Sequence, residues 1–192
     1  RLGSVGPGNV FHEMIVSGMI PTTILDSCFR QEEGSTIVEN AVRINQKQTK
    51  LIYDDTFEFY TANTPEDASE IIRDLYEEYW KSKGKRTDEI QVLSPLKKNT
   101  AAGSDALNEM LREVVNPKRR GRKEVKNGGR LYREGDRVMQ TENKDEISNG
   151  DLGEVISISK KEGKSIMRVD FGDDRIVDFT DDDYWPLTHG YA

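Results

Sequence analysis

The hydrophobic period of this chain changes once, at Asn116-Pro117, and that change limits it to folds joining a helical region to an all-β one. Before it, Leu107, Met110, Leu111 and Val114 recur at helical spacing across 104–115. After it, apolar and polar residues alternate in short runs at 136–141, 153–158, 165–171 and 175–179. Turn-forming groups separate these runs at Asn149-Gly150-Asp151, Lys161-Glu162-Gly163 and Gly172-Asp173-Asp174.

Upstream, Ile37, Val38, Ala41, Val42 and Ile44 lie at helical spacing behind Ser35, a plausible cap, which predicts a helix packed by one face. Residues 57–61 read as a strand. Thr64, Pro65, Glu66 and Asp67 then place a cap, a first-turn proline and two acids before a helix over 68–81. Residues 90–94 form a second short apolar strand, ended by Pro95, ahead of the 104–115 helix. Strands alternating with helices predict a parallel sheet. The four or five strands that follow, in about sixty residues, predict a small barrel of SH3-like size over 122–184. Because 185–192 resumes afterwards, the barrel is expected to be an insertion within the α/β domain.

At 192 residues the chain can hold one ordinary domain or two small ones, and 34% hydrophobic with 33% charged residues is a soluble composition. No apolar run approaches the roughly 20 residues of a membrane helix. No secretory signal is visible, and cytoplasm is the expected location. Cys28 stands alone, so an internal disulfide or cysteine-rich zinc site is excluded, and it reads as a small buried hydrophobe before Phe29. His12 and His189 lack metal-ligand spacing, and no protein-held metal is expected.

Net charge is −7, unevenly spread. From Lys81 to Arg137 there are 16 Lys and Arg against 8 Asp and Glu, whereas the rest carries 12 against 27. Seven aspartates fall between Asp170 and Asp183. Such polarity offers phosphate one attractive region, although the run Lys118-Arg119-Arg120-Gly121-Arg122-Lys123 reads equally well as a solvated loop.

Gly163-Lys164-Ser165 has the tail of a phosphate-binding loop, but the glycine required five positions earlier is Ile158, and the residues that follow alternate like a strand. It reads as a hairpin turn. With no other phosphate loop and no Asp-Glu pair after an apolar strand, this polypeptide alone is not expected to hydrolyse ATP.

The chain opens inside a glycine-rich loop, Gly3-Ser4-Val5-Gly6-Pro7-Gly8, whose backbone can turn tightly, with Asn9 placed to cap a helix over 10–17. An apolar run ending Phe29-Arg30-Gln31 comes twenty residues later. In this order the two segments resemble the third and fourth motifs of superfamily 1 DNA helicases of the RecD type, including exodeoxyribonuclease V alpha subunits. Residues 90–97 and 105–111 look like the second RecA-like motor domain of that family. Gly135 to Asn143, then Asn149 to Gly153, are similar to its SH3-like insert. Where the family usually has Gln and Pro, this chain has Arg1 and Gly3.

The resemblance implies an excised piece of a motor: 1–33 the end of the first lobe and the crossover, 34–121 part of the RecA-like second domain, 122–184 the SH3-like barrel, and 185–192 a truncated return. The fold class it implies is α/β, a partial RecA-like parallel sheet with an inserted SH3-like β-barrel. The parent would use ATP and Mg²⁺ to move 5′ to 3′ along single-stranded DNA and unwind duplexes, alone or with exonuclease subunits. Arg30 would then act as a cation reaching nucleotide on the missing first lobe, with Gln31 beside it. The strand track would use Ser94, Lys97, Lys98 and Asn99, which follow a predicted parallel strand at the edge where such sheets place ligands. Gln140, Asn143 and Asn149 would touch DNA from the barrel, although Asn149-Gly150 also suits a plain turn. The competing reading is a non-enzymatic module that binds nucleic acid or protein, for which Phe29-Arg30-Gln31 has no use. A self-contained nucleotide-metabolising enzyme is disfavoured, because no phosphate loop or convergent acid-base set is present.

Overall fold

The computed structural model describes residues 6–24, 34–181 and 185–192. The chain divides into two compact units, 1–59 and 60–192.

In the first unit, α1 (Val10–Val16) has no buried residue, and its preceding Asn9 makes no side-chain cap bond. Helix α2 (Thr36–Asn45) forms where predicted but buries a different face. Ile37, Val42 and Ile44 are exposed, and the buried positions are Thr36 and Asn40. The physical reason is a polar clamp. Asn40 Nδ2 donates to the Ile52 carbonyl at 2.6 Å and Oδ1 accepts the Ile52 N–H at 2.9 Å, while the Thr36 hydroxyl bonds Asp54. Asp54 closes a turn by accepting from Thr56 and Phe57, and Asp54 and Phe57 pair as an isolated antiparallel bridge.

In the second unit, α3 (Pro65–Ser82) starts as predicted, with Thr64 Oγ1 accepting the Asp67 N–H at 3.1 Å and Pro65 in the first turn. Helix α4 (Ser104–Val115) buries Leu107 and Leu111. A small core joins these helices to the chain's last residues: Tyr76, Leu111 and Tyr191 are buried together, with Trp80, Ile90 and Val92 against them.

The β-module follows. A hairpin pairs β1 (Glu124–Asn127) with β2 (Arg130–Arg133). A second sheet comprises β3 (Arg137–Gln140), β4 (Leu152–Lys161), β5 (Lys164–Asp170), β6 (Ile176–Thr180) and β7 (Leu187–His189), in the order β6-β5-β4-β3-β7. Every pairing is antiparallel. Its core is built by the inward side of each alternation, including Val138, Val155, Met167, Val169 and Phe179, and is closed by Tyr132 and Trp185. The alternation seen in sequence thus becomes a small antiparallel sheet of SH3-like type.

The expected parallel sheet is not formed among the described residues. Residues 57–61 and 90–94 make no ladder beyond the Asp54–Phe57 bridge. A strand exists only with a neighbour to accept its N–H groups, and Val92 finds a single one, the Tyr191 carbonyl at 3.2 Å. The 185–192 segment gives β7 to the β-module's sheet before Tyr191 reaches the helical core. No helix among the described residues is long and apolar enough to cross a membrane.

Candidate nucleic-acid interface

The loop between residue 94 and α4 is fixed from both sides. Ser94 Oγ lies 2.7 Å from the Ala102 carbonyl and 2.9 Å from that of Leu96, so its hydroxyl is spent on shaping the loop. The first N–H groups of α4 are used the same way, Ser104 donating to Leu96 at 2.9 Å and Asp105 to Lys97 at 3.1 Å. Gly103 permits this approach, since a Cβ there would sit 3.0 Å from the Lys97 carbonyl oxygen. Asn99 has φ 64°, a left-handed conformation that asparagine tolerates. Lys97 and Lys98 are exposed and form no ion pair among the described residues, so two ammonium groups project from a hydrogen-bonded turn.

Lys98 also borders a polar cleft with Asn108, Arg112, Arg130 and Thr188, between the start of α4 and the β1–β2 turn. Arg112 and Arg130 carry no sequence signal for this position, because one lies on α4 and the other on β2, and only the fold brings the two together. At the far end of α4, Arg119, Arg120, Arg122 and Lys123 are exposed, and among the described residues only Lys118 in this run pairs with a carboxylate, Glu124 at 3.2 Å.

Three buried arginines tie α4 and residues 87–91 to the β-module. Arg112 donates to the Leu131 carbonyl at 2.6 Å, and Arg133 pairs with Glu124 at 2.7 Å and with the Asn116 carbonyl. Arg137 donates to the Thr87 and Ile90 carbonyls at 2.6 and 2.7 Å. Asp136, fully buried, accepts from Asn116 Nδ2 and from the Arg133 N–H, both at 2.7 Å, with His189 Nε2 at 3.5 Å. The Arg133 guanidinium, with Lys118 behind it, holds the Glu124 carboxyl below its ordinary value. Burial pushes the Tyr191 hydroxyl up, so it remains a neutral acceptor of the Arg137 N–H at 3.0 Å.

One expected contact is corrected. Gln140 is 1% exposed, because its position in β3 faces inward, so its side chain is not on the outer face of the module. Asn143 and Asn149 are exposed, but Asn143 Oδ1 accepts the Asn149 N–H at 2.7 Å, so the pair staples its own loop. Gly150, at φ 96°, makes the turn that follows. Arg30, Gln31 and Cys28 lie outside the described residues.

A β-module bolted to a helix by buried arginines and carrying an antiparallel five-stranded sheet can be compared with known families. Residues 107–171 match the family model for the SH3 domain of ATP-dependent RecD-like DNA helicases. The match begins within α4 and ends just past β5, so it takes in the helix–module junction as well as most of the sheet. A RecD-like SH3 domain supports a helicase-family origin for the chain.

Proposed function

We propose that the chain is part of an ATP-dependent DNA helicase of RecD type, in which residues 34–121 belong to the second motor domain, 122–184 form the inserted module and 185–192 return to the motor. The match of residues 107–171 to the RecD-like SH3 domain carries this reading. The buried ties that α4, the Asn116 that follows it and residues 87–91 make to the β-module support it, since a module that moved with a motor domain would need a stiff junction. The exposed pair Lys97 and Lys98, with Asn99 beside them, is the proposed contact to the backbone of one DNA strand. Ser94 shapes that contact from behind. Asn143 and Asn149 keep outward faces that could meet the strand from the module.

The described residues do not fit the phosphates of ATP or their Mg²⁺. Gly163, at φ 84°, lies in the turn between β4 and β5, and Lys164-Ser165 open strand β5 with no helix behind them. Nucleotide would be held by another lobe. Resemblance assigns Arg30 and Gln31 to reach it, and in a translocating motor the direction would be 5′ to 3′, in the cytoplasm and with or without exonuclease subunits.

Two measurements test this. A longer protein carrying this chain should show ATP hydrolysis stimulated by single-stranded DNA, and Arg30→Ala should abolish the hydrolysis while leaving DNA binding within about twofold. The chain alone should bind single-stranded DNA, weakening steeply as salt rises. Binding indifferent to salt, or a longer protein without stimulated hydrolysis, refutes the reading.

A further inference from the structure

A cavity of about 320 Å³ opens at the end of the β-module formed by Gln140, the 144–147 turn and the β5–β6 connection. Its wall is apolar, from Ile147, Val177 and Phe179. Gln140 belongs to the same lining, and although only 1% of it is exposed, its Oε1 has no hydrogen-bond partner among the described residues. The backbone of Gln140 is fully used, its N–H donating to Asp151 and its carbonyl accepting from Gly150, both at 2.9 Å. The buried Oε1 is the atom left without a partner. Burying an unpaired carbonyl oxygen is costly, and such groups are uncommon unless something else completes them.

The mouth decides the chemistry. Arg175 is already committed, at 2.6 Å to Asp151 and through further bonds to the carbonyls of Phe171 and Glu146. Asp145, Glu146 and Asp174 form no ion pair among the described residues, against one uncommitted ammonium, Lys144. A DNA phosphate would meet net repulsion here, whereas a cation with an apolar stem would satisfy both wall and rim. Arginine fits better than lysine, because its planar, weakly hydrated guanidinium can donate to Oε1 at depth while remaining near the carboxylates. At the small end of ligand cavities, the volume suits one side chain.

We propose that this cavity is a docking site for an arginine side chain presented by a protein partner, with Gln140 as the deep acceptor. This goes beyond the motor reading and does not depend on it.

The probe is N-acetyl-arginine methylamide, titrated at millimolar concentration into the ¹⁵N,¹³C-labelled chain and followed by NMR. The side-chain amide of Gln140 and the methyls of Ile147 and Val177 should shift together and saturate. The neutral citrulline analogue should bind at least about tenfold more weakly. Gln140→Leu, which keeps the volume, should weaken arginine binding about tenfold or more. Asp174→Asn should weaken it about twofold to threefold, and asparagine accepts the φ of 60° found there, so the fold is preserved. Shifts confined to the backbone amides of the acidic mouth would mean counterion attraction only and overturn the proposal. So would saturation of the same resonances by a short oligothymidylate, which would make the cavity a nucleobase site.

Discussion

Asn108 holds the backbone of Tyr191 to helix α4, its Oδ1 accepting the Tyr191 N–H at 2.8 Å and the Ala192 N–H at 2.9 Å while Nδ2 donates to the Ala192 carbonyl at 2.7 Å. One buried amide therefore satisfies three backbone groups and lines Tyr191 up to accept from Arg137 on β3. These polar bonds, beside the apolar contact of Leu111 with Tyr191, fix the spacing between α4 and the chain's last residues.

Asn108→Ala removes all three bonds without adding any competing group. The Tyr191 N–H is buried and cannot turn to water, whereas Ala192 is only half-buried, so the expected loss is about 2–4 kcal/mol. A urea denaturation midpoint that moved with unchanged slope would measure it. Tyr191→Phe should cost less, about 1–2 kcal/mol, since it orphans only the Arg137 N–H.

Gly153 in β4 is a packing requirement. A Cβ there would lie 2.7 Å from Val169 Cγ1, 2.8 Å from the Asp170 carbonyl oxygen and 2.9 Å from Phe171 Cδ1. Two of these belong to the core and one to backbone, so none can yield cheaply, and Gly153→Ala should destabilise by about 1–3 kcal/mol. Gly163→Ala is the contrast: nothing lies within 4 Å, and only its φ of 84° resists, giving about 1 kcal/mol. Thermal unfolding of the two variants should rank them in that order.

Acid sensitivity in the first unit should centre on Asp54. Its hydrogen bonds, first that from Thr36 and then those from Thr56, hold the carboxyl down at about 2 against an ordinary 3.8. A depressed carboxyl contributes above its unfolded value and loses that contribution as pH falls through its folded one. The turn should thus persist at pH 3 and open near pH 2, read from the amide signals of Thr56 and Phe57, which donate to Asp54. In Thr36→Val the midpoint should climb toward 3.8.

Helices α3 and α4 and four strands of the sheet could be read from sequence because their cues are local: the Thr64-Pro65 start, helical spacing of Leu107 and Leu111, and alternation bounded by glycine turns. Other features depend on partners far along the chain. Arg137 meets Thr87 some fifty residues away, and Asn108 meets Tyr191 across more than eighty, so no window of sequence shows that these polar residues are internal. Helix α2 misled for the opposite reason: its apolar spacing was clear, yet Asn40 and Thr36 won the buried side through bonds to Ile52 and Asp54. For Gln140, polarity suggested an outward face, while strand parity put it inside. The parallel sheet is not formed among the described residues, because strand propensity at 90–94 cannot supply the neighbouring strand that pairing requires.

Salt dependence separates residues that touch phosphate from those that only position them. Each phosphate neutralised on a single strand contributes about 0.7 to the slope of log K against log salt. Lys97→Ala and Lys98→Ala should each weaken binding to single-stranded DNA and lower the slope by about that amount. Ser94→Ala should weaken binding through a different route. Its hydroxyl is engaged with Ala102 and Leu96, so removing it loosens the turn that projects the lysines while every charge remains, and the slope should stay as it was. Arg120→Ala tests whether the exposed run beyond α4 belongs to the same track: a lowered slope extends the interface along the helix, and an unchanged one makes that run a solvated loop. A Ser94→Ala slope that fell as far as Lys98→Ala would instead place the hydroxyl in the phosphate contact and contradict the geometry of the loop.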